Sequence, residues 1–205
     1  MMDLFDVVRK LKTISQAGRT FAKDDYELKR HLDIEEICAD ILADCTGCDA
    51  KEALHILQQD TGYPTPKVDC RGVIIRDDKV LLVKEIEDGR WTLPGGWCDN
   101  GMTPSENVER EIWEESGYEA KAQRLLAVYD RDKQGHFPPY PFNIYKLFFL
   151  CEITGGSPKP SNETSEIAWF GEDEIPELSK ARTTEQQLRQ FFEMVREDDR
   201  TAYFD

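Results

Sequence analysis

The run Thr61-Gly62-Tyr63-Pro64-Thr65-Pro66 is the strongest constraint on how this chain folds. A glycine and two prolines within six positions cannot extend a helix, so the elements on either side must begin afresh. Ahead of it the apolar residues keep a helical period. Leu4, Val8, Leu11 and Ile14 recur at steps of three and four, as an amphipathic helix requires. Leu28, Leu32, Ile37, Ile41 and Leu42 mark a second helix, and Asp49 opens a third with Glu52 three residues later in a capping-box pattern. Residues 1–66 therefore read as a small all-helical segment, and residues 67–205 as a separate domain.

Beyond the break the pattern turns to strands. Val73-Ile74-Ile75 and Val80-Leu81-Leu82-Val83 flank an Asp77-Asp78 turn, the signature of a β-hairpin. Short strands are expected at Trp91–Leu93, Leu125–Tyr129, Ile144–Cys151 and Ile167–Phe170, with a closing helix from Thr184 to Val195. Helices covering a mixed sheet predict an α/β (α+β) sandwich.

Composition narrows the class of function. The chain carries 41 acids against 26 bases, a net charge of −15, which disfavours extended contact with a nucleic-acid backbone or an anionic membrane. Residues 1–30 hold seven bases and five acids, so the remainder carries −17. No apolar run approaches the roughly 20 residues of a membrane span, and no apolar leader is present, so a cytoplasmic location is expected. The six cysteines then read as reduced thiols. Cys45 and Cys48 form a lone C-x-x-C with no second ligand pair, and read as small residues at a helix end.

The chemistry concentrates on one helix. Thr103 is a good N-cap, Pro104 suits the first helical position, Glu106 completes a capping box and Gly117 fits the left-handed end. With about 100° per residue, Ser105, Val108 and Ile112 share a face for packing, while Glu111, Glu114 and Glu115 crowd an adjacent arc. Carboxylates at these spacings repel one another and oppose the helix dipole near its C-terminus. A hard divalent cation resolves that conflict; a solvated acidic face is the plain alternative.

Taken with what precedes it, the helix resembles the Nudix box, G-x5-E-x7-R-E-U-x-E-E-x-G-U, where U is bulky and apolar. Gly96, Met102, Arg110-Glu111-Ile112-Trp113-Glu114-Glu115-Ser116-Gly117 and Tyr118 hold all the spacings. Met102 stands where the family has glutamate, so Arg110 needs another partner, Asp99 or Glu106. The likeness covers roughly residues 68–196 and implies a Nudix-type α/β/α sandwich. It implies an enzyme, a pyrophosphatase with Mg2+ or Mn2+ as cofactor. Glu111, Glu114, Glu115 and the Gly96 carbonyl would hold the metal, with Arg110, Gly95 and Gly117 supporting the site. A base is expected from Glu111, Glu115 or the loop acids Glu163 and Glu166. Arg71, Arg131, Lys133, His136, Phe137, Tyr140 and Phe142 are candidates for substrate contact. Within the family, the helical N-terminus and Gly95-Gly96-Trp97-Cys98-Asp99 resemble bacterial hydrolases of CDP-choline or ADP-ribose, with CDP-choline favoured and NDP-sugars an alternative. An RNA-processing hydrolase and an inactive nucleotide-binding module are the other readings. The helical segment is expected to pack on a twin subunit, making a homodimer, or to contact substrate.

Overall fold

The computed structural model describes residues 4–205. They divide into two compact units, one reaching to Pro66 and including Pro139–Phe142, the other comprising Lys67–Pro138 and Asn143–Asp205.

The first unit holds α1 (Leu4–Phe21), α2 (Asp25–Thr46) and α3 (Ala50–Gln58). Asp24 caps α2 by accepting from the Glu27 amide, and Asp49 caps α3 by accepting from Lys51 and Glu52. Gly47, at φ 75°, ends α2 between Cys45 and Cys48, both of which are free thiols. Val8, Cys38, Ala39, Leu42, Ala53 and Leu57 form a core of the unit's own. The helix expected from Leu4, Val8, Leu11 and Ile14 is present as α1, and Val8 and Leu11 pack into this core. Leu4 and Ile14 are 56% and 60% exposed, while Lys12, Ser15 and Gln16 are buried. Those polar side chains find partners: Lys12 bonds Gln16 and Asp60, Ser15 Oγ donates to His31 O at 2.5 Å, and Gln16 donates to Gly62 O at 3.0 Å. Phe142, a candidate for substrate contact, lies within this unit with its ring 4.7 Å from the Lys12 ammonium.

The second unit is an α/β/α sandwich. Its strands are β1 (Lys67–Val73), β2 (Ile75–Arg76), β3 (Lys79–Glu85), β4 (Trp91–Thr92), β5 (Gly95–Trp97), β6 (Tyr118–Asp130), β7 (Ile144–Gly156), β8 (Thr164–Gly171) and β9 (Tyr203–Phe204). Its helices are α4 (Pro104–Ser116) and α5 (Glu185–Arg196). A five-stranded mixed sheet runs β5-β1-β7-β6-β9, with β1 and β7 parallel. A second sheet runs β2-β3-β4, with β8 also on β3. Asp77 and Asp78 both take positive φ, 52° and 55°, the geometry that matches a two-residue turn to strand twist. One core cluster joins Val73, Leu82, Leu126 and Phe148 to Leu188 and Phe191 of α5. Another joins Cys70, Ile74, Leu81 and Cys151 to Val108 and Ile112 of α4. The strands β6 and β7 run past the apolar stretches that mark them in sequence, because antiparallel pairing with each other continues to Gly156.

Candidate active site

A cleft of about 960 Å3 opens where β5, α4, the end of β3 and the loop before β8 meet. Each wall has a local cause. Gly95 (φ 143°) lies against β1 so closely that a Cβ would meet the Cys70 carbonyl at 2.1 Å, which no side chain tolerates. Gly96 follows, and a Cβ there would lie 2.8 Å from Glu111 Oε2. Gly96 therefore sits directly against the Glu111 carboxylate of α4. The helix itself starts on a complete capping box between Thr103 and Glu106 and stops at Gly117, φ 74°.

The absent box glutamate is replaced by two contacts. Arg110 donates to Asp99 Oδ2 at 2.6 Å and to Glu111 Oε1 at 3.0 Å, while Glu106 is occupied with its cap. Asn107, fully buried, accepts from the Asp99 amide at 2.8 Å and donates to Thr103 O at 3.1 Å. Asn107 gave no signal in the sequence, since asparagine within a helix has no fixed role.

The three α4 carboxylates occupy different environments. Glu115 is buried and its Oε2 accepts the Gly95 amide at 2.9 Å. Burial pushes its carboxyl up to about 8, against the opposing pull of Arg71 and the Gly95 N–H. Burial likewise raises Glu111, with Arg110 pulling the other way. Glu114 is exposed at the mouth. Among the described residues, no group of three or more His, Cys, Asp or Glu side chains converges as a metal cluster; Glu111 leans on Arg110 and Glu115 on Gly95 instead. The donor chemistry, carboxylate and carbonyl oxygens, is that of a hard divalent cation.

Of the two acids expected in a loop, Glu163 lies in it and lines the cleft, whereas Glu166 is in β8, outside the cleft lining, and pairs with Lys84 at 2.7 Å. Thr164 Oγ1 ties this loop to the Glu115 carbonyl at 2.6 Å. Arg71 lines the cleft but is buried, holding both oxygens of Asp69 (3.1 and 2.7 Å) and Leu93 O. Asp69 also accepts from buried Lys146 at 2.5 Å. Arg131, His136 and Phe137 are not among the cleft-lining residues. Arg131 donates to Pro138 O and Ala181 O from a 3-10 turn, in which Lys133 is exposed. His136 is fixed between Lys180 O and Gln187. Tyr140 belongs to the helical unit, 6.0 Å ring to ring from Phe142.

Several cleft residues escaped sequence reasoning. Glu85 is buried beside Arg182 at 3.1 Å, where a register shift between Lys84 and Glu85 interrupts the β3–β8 ladder. Such bulges re-aim side chains and leave no mark in sequence. Arg182 reaches the cleft from the segment before α5. Trp97 and Trp113, 46% and 56% exposed, flank the carboxylates; Trp113 lies inside the box, where its aromatic character was the available signal.

Comparison with known proteins agrees with this geometry. Residues 66–193 match the NUDIX domain, and residues 2–57 match the UDP-X-like, N-terminal oligomerisation domain. A Bacillus subtilis protein, YjhB, provisionally assigned as an ADP-ribose pyrophosphatase, is 42% identical over 96% of this chain and 94% of its own. The crystal structure of a UDP-X diphosphatase is 31% identical, with full coverage of both chains and a TM-score of 0.64. That of an ADP-ribose pyrophosphatase from Streptococcus suis is 39% identical over 69% of this chain and all of its own, with a TM-score of 0.63. The chain belongs to the Nudix family. It is a Nudix pyrophosphatase, a hydrolase of phosphoanhydride bonds from a family that uses divalent cations, and its N-terminal helices are those of the UDP-X-like subgroup.

Proposed function

We propose that this enzyme uses Mg2+ or Mn2+ to split the diphosphate of a nucleoside diphosphate joined to a second moiety. The approach of Gly96 to Glu111, 2.8 Å from a Cβ position to a carboxylate oxygen, carries the reading. It sets Gly96 and the Glu111 carboxylate side by side in the cleft that Glu114 and Glu115 also line. Glu111, Glu114, Glu115 and the Gly96 carbonyl would hold the cation. When bound, a divalent ion supplies neutralising charge at the diphosphate and a water of lowered pKa.

The chain's own groups do the rest. Glu115, whose carboxyl burial raises to about 8, would hold a cation as the carboxylate, because a positive charge offsets that burial. Arg110 keeps Glu111 and Asp99 in register at the mouth. Glu163 is our candidate for the carboxylate that orients the attacking water and takes its proton. Trp97 and Trp113 offer rings on which a base can stack.

Relatives named for ADP-ribose and UDP-X support a nucleotide conjugate, and ADP-ribose comes first among them. CDP-choline, favoured by sequence resemblance, belongs in the same panel. The match of residues 2–57 to an oligomerisation domain supports a homodimer, and six free thiols suit a reducing, cytoplasmic compartment. No described helix is long and apolar enough to cross a membrane.

The test is turnover of ADP-ribose, CDP-choline and UDP-glucose with Mg2+, reading nucleoside monophosphate release. We expect turnover of at least one, lost on Glu115→Gln and reduced by about 100-fold on Glu163→Gln, with Glu166→Gln unchanged. No turnover of any conjugate sinks the reading.

A further inference from the structure

A diphosphate entering the cleft meets seven carboxylates and four cations, Arg71, Arg110, Lys159 and Arg182. Three of the cations are already engaged. Arg71 holds Asp69 at 2.7 Å, Arg110 holds Asp99 at 2.6 Å, and Arg182 holds Glu85 at 3.1 Å and also Glu87. Lys159 pairs with no carboxylate among the described residues. Its charge is the one left to meet an incoming anion.

The backbone that carries Lys159 is anchored. Its amide donates to Ser116 O at 2.9 Å, and the Ser157 amide donates to Gly117 O at 3.2 Å. Gly117 makes this close passage feasible: a Cβ there would meet Ser157 O at 2.6 Å and Lys159 Cβ at 2.8 Å. The segment leaving β7 is thus stapled to the end of α4, immediately after Glu115. A flexible four-carbon stem projects from this fixed point, and an ammonium tracks a phosphate as a compact point charge.

We propose that Lys159 binds the diphosphate oxygens of the substrate and sets affinity, not the rate of the chemical step. This rests on the phosphoanhydride hydrolysis proposed above. A lysine that only complements the α4 dipole would change stability and leave ligand affinity alone.

The experiment titrates ADP with Mg2+ into the full chain by calorimetry, and measures KM and kcat for the best conjugate in parallel. Lys159→Ala is expected to raise Kd and KM about fivefold or more, with kcat within about twofold, and Lys159→Arg to restore both. An unchanged Kd, a loss confined to kcat, failure of arginine to restore affinity, or a wild-type chain that binds no ADP would overturn the proposal. A wild-type chain that binds ADP through Lys159 but turns over no conjugate would sink the hydrolase reading and leave this one standing.

Discussion

Glu115 and His136 are buried ionisable side chains that the fold drives to the same state, neutral near pH 7. For Glu115 desolvation raises the carboxyl to about 8. For His136 desolvation lowers the imidazole to about 3, helped by the nearby Lys146 charge. A proton on Nδ1 satisfies both His136 contacts, since Lys180 O accepts at one nitrogen and Gln187 donates to the other. The folded chain thus stays unprotonated here at pH values where the unfolded chain, titrating near 6.5, takes a proton. Stability from this residue is intact above about pH 6.5 and falls as pH drops toward 3, by about 2 kcal/mol at pH 5. Glu115 acts in the opposite sense between about 4.5 and 8, so the comparison must be made against a variant. Urea unfolding at pH 5 and 7.5 should show His136→Gln losing about 2 kcal/mol less than wild type between the two conditions. An equal loss in both chains would show that His136 already titrates in the fold. Sequence made His136 a ligand candidate because histidines are scarce in this domain; the partners that fix it lie 44 and 51 residues away, where no local pattern reports them.

At the scale of elements, α4 was the most legible part of the molecule. Its cap, proline, apolar face and terminal glycine are local signals, and helix Pro104–Ser116 falls at those bounds. What supports the loop before it was not legible. Met102 removes the expected acid, and the structure substitutes Asn107 and the Arg110–Asp99 pair. Asn107→Ala would strand the Asp99 amide at a cost of about 2 kcal/mol, while the Thr103 carbonyl keeps the backbone amide of residue 107. Met102→Glu adds an acid at a half-buried position whose expected partner, Arg110, is already paired, and should change stability by less than about 1 kcal/mol. Thermal or urea unfolding of the two variants checks both. A large gain from Met102→Glu with no loss from Asn107→Ala would mean the loop depends on the missing glutamate after all. The bulge that aims Glu85 shows the same limit: a register shift is set by strand pairing, not by residue type.

For the whole molecule, α1 shows that helical periodicity places an element and leaves open which of its faces meets its own chain. Here Val8 enters the unit's core, and the polar Lys12, Gln16 and Ser15 are buried beside it because Asp60, Gly62 and His31 supply partners. Leu4, Ile14 and 66%-exposed Phe21 stay uncovered. An apolar stripe of this kind suits a second subunit. On the homodimer proposed above, Ile14→Glu should shift the protein toward monomer in sedimentation velocity without unfolding it; an unchanged dimer would move the interface elsewhere.

The central claim is that the carboxylates of α4 hold a divalent cation, and Mn2+ titration followed by electron paramagnetic resonance tests it directly. Saturable uptake by the wild-type chain, weakened by about tenfold or more in each of Glu111→Gln, Glu114→Gln and Glu115→Gln, is the predicted result. Equal Mn2+ affinity in all three variants and wild type would contradict it.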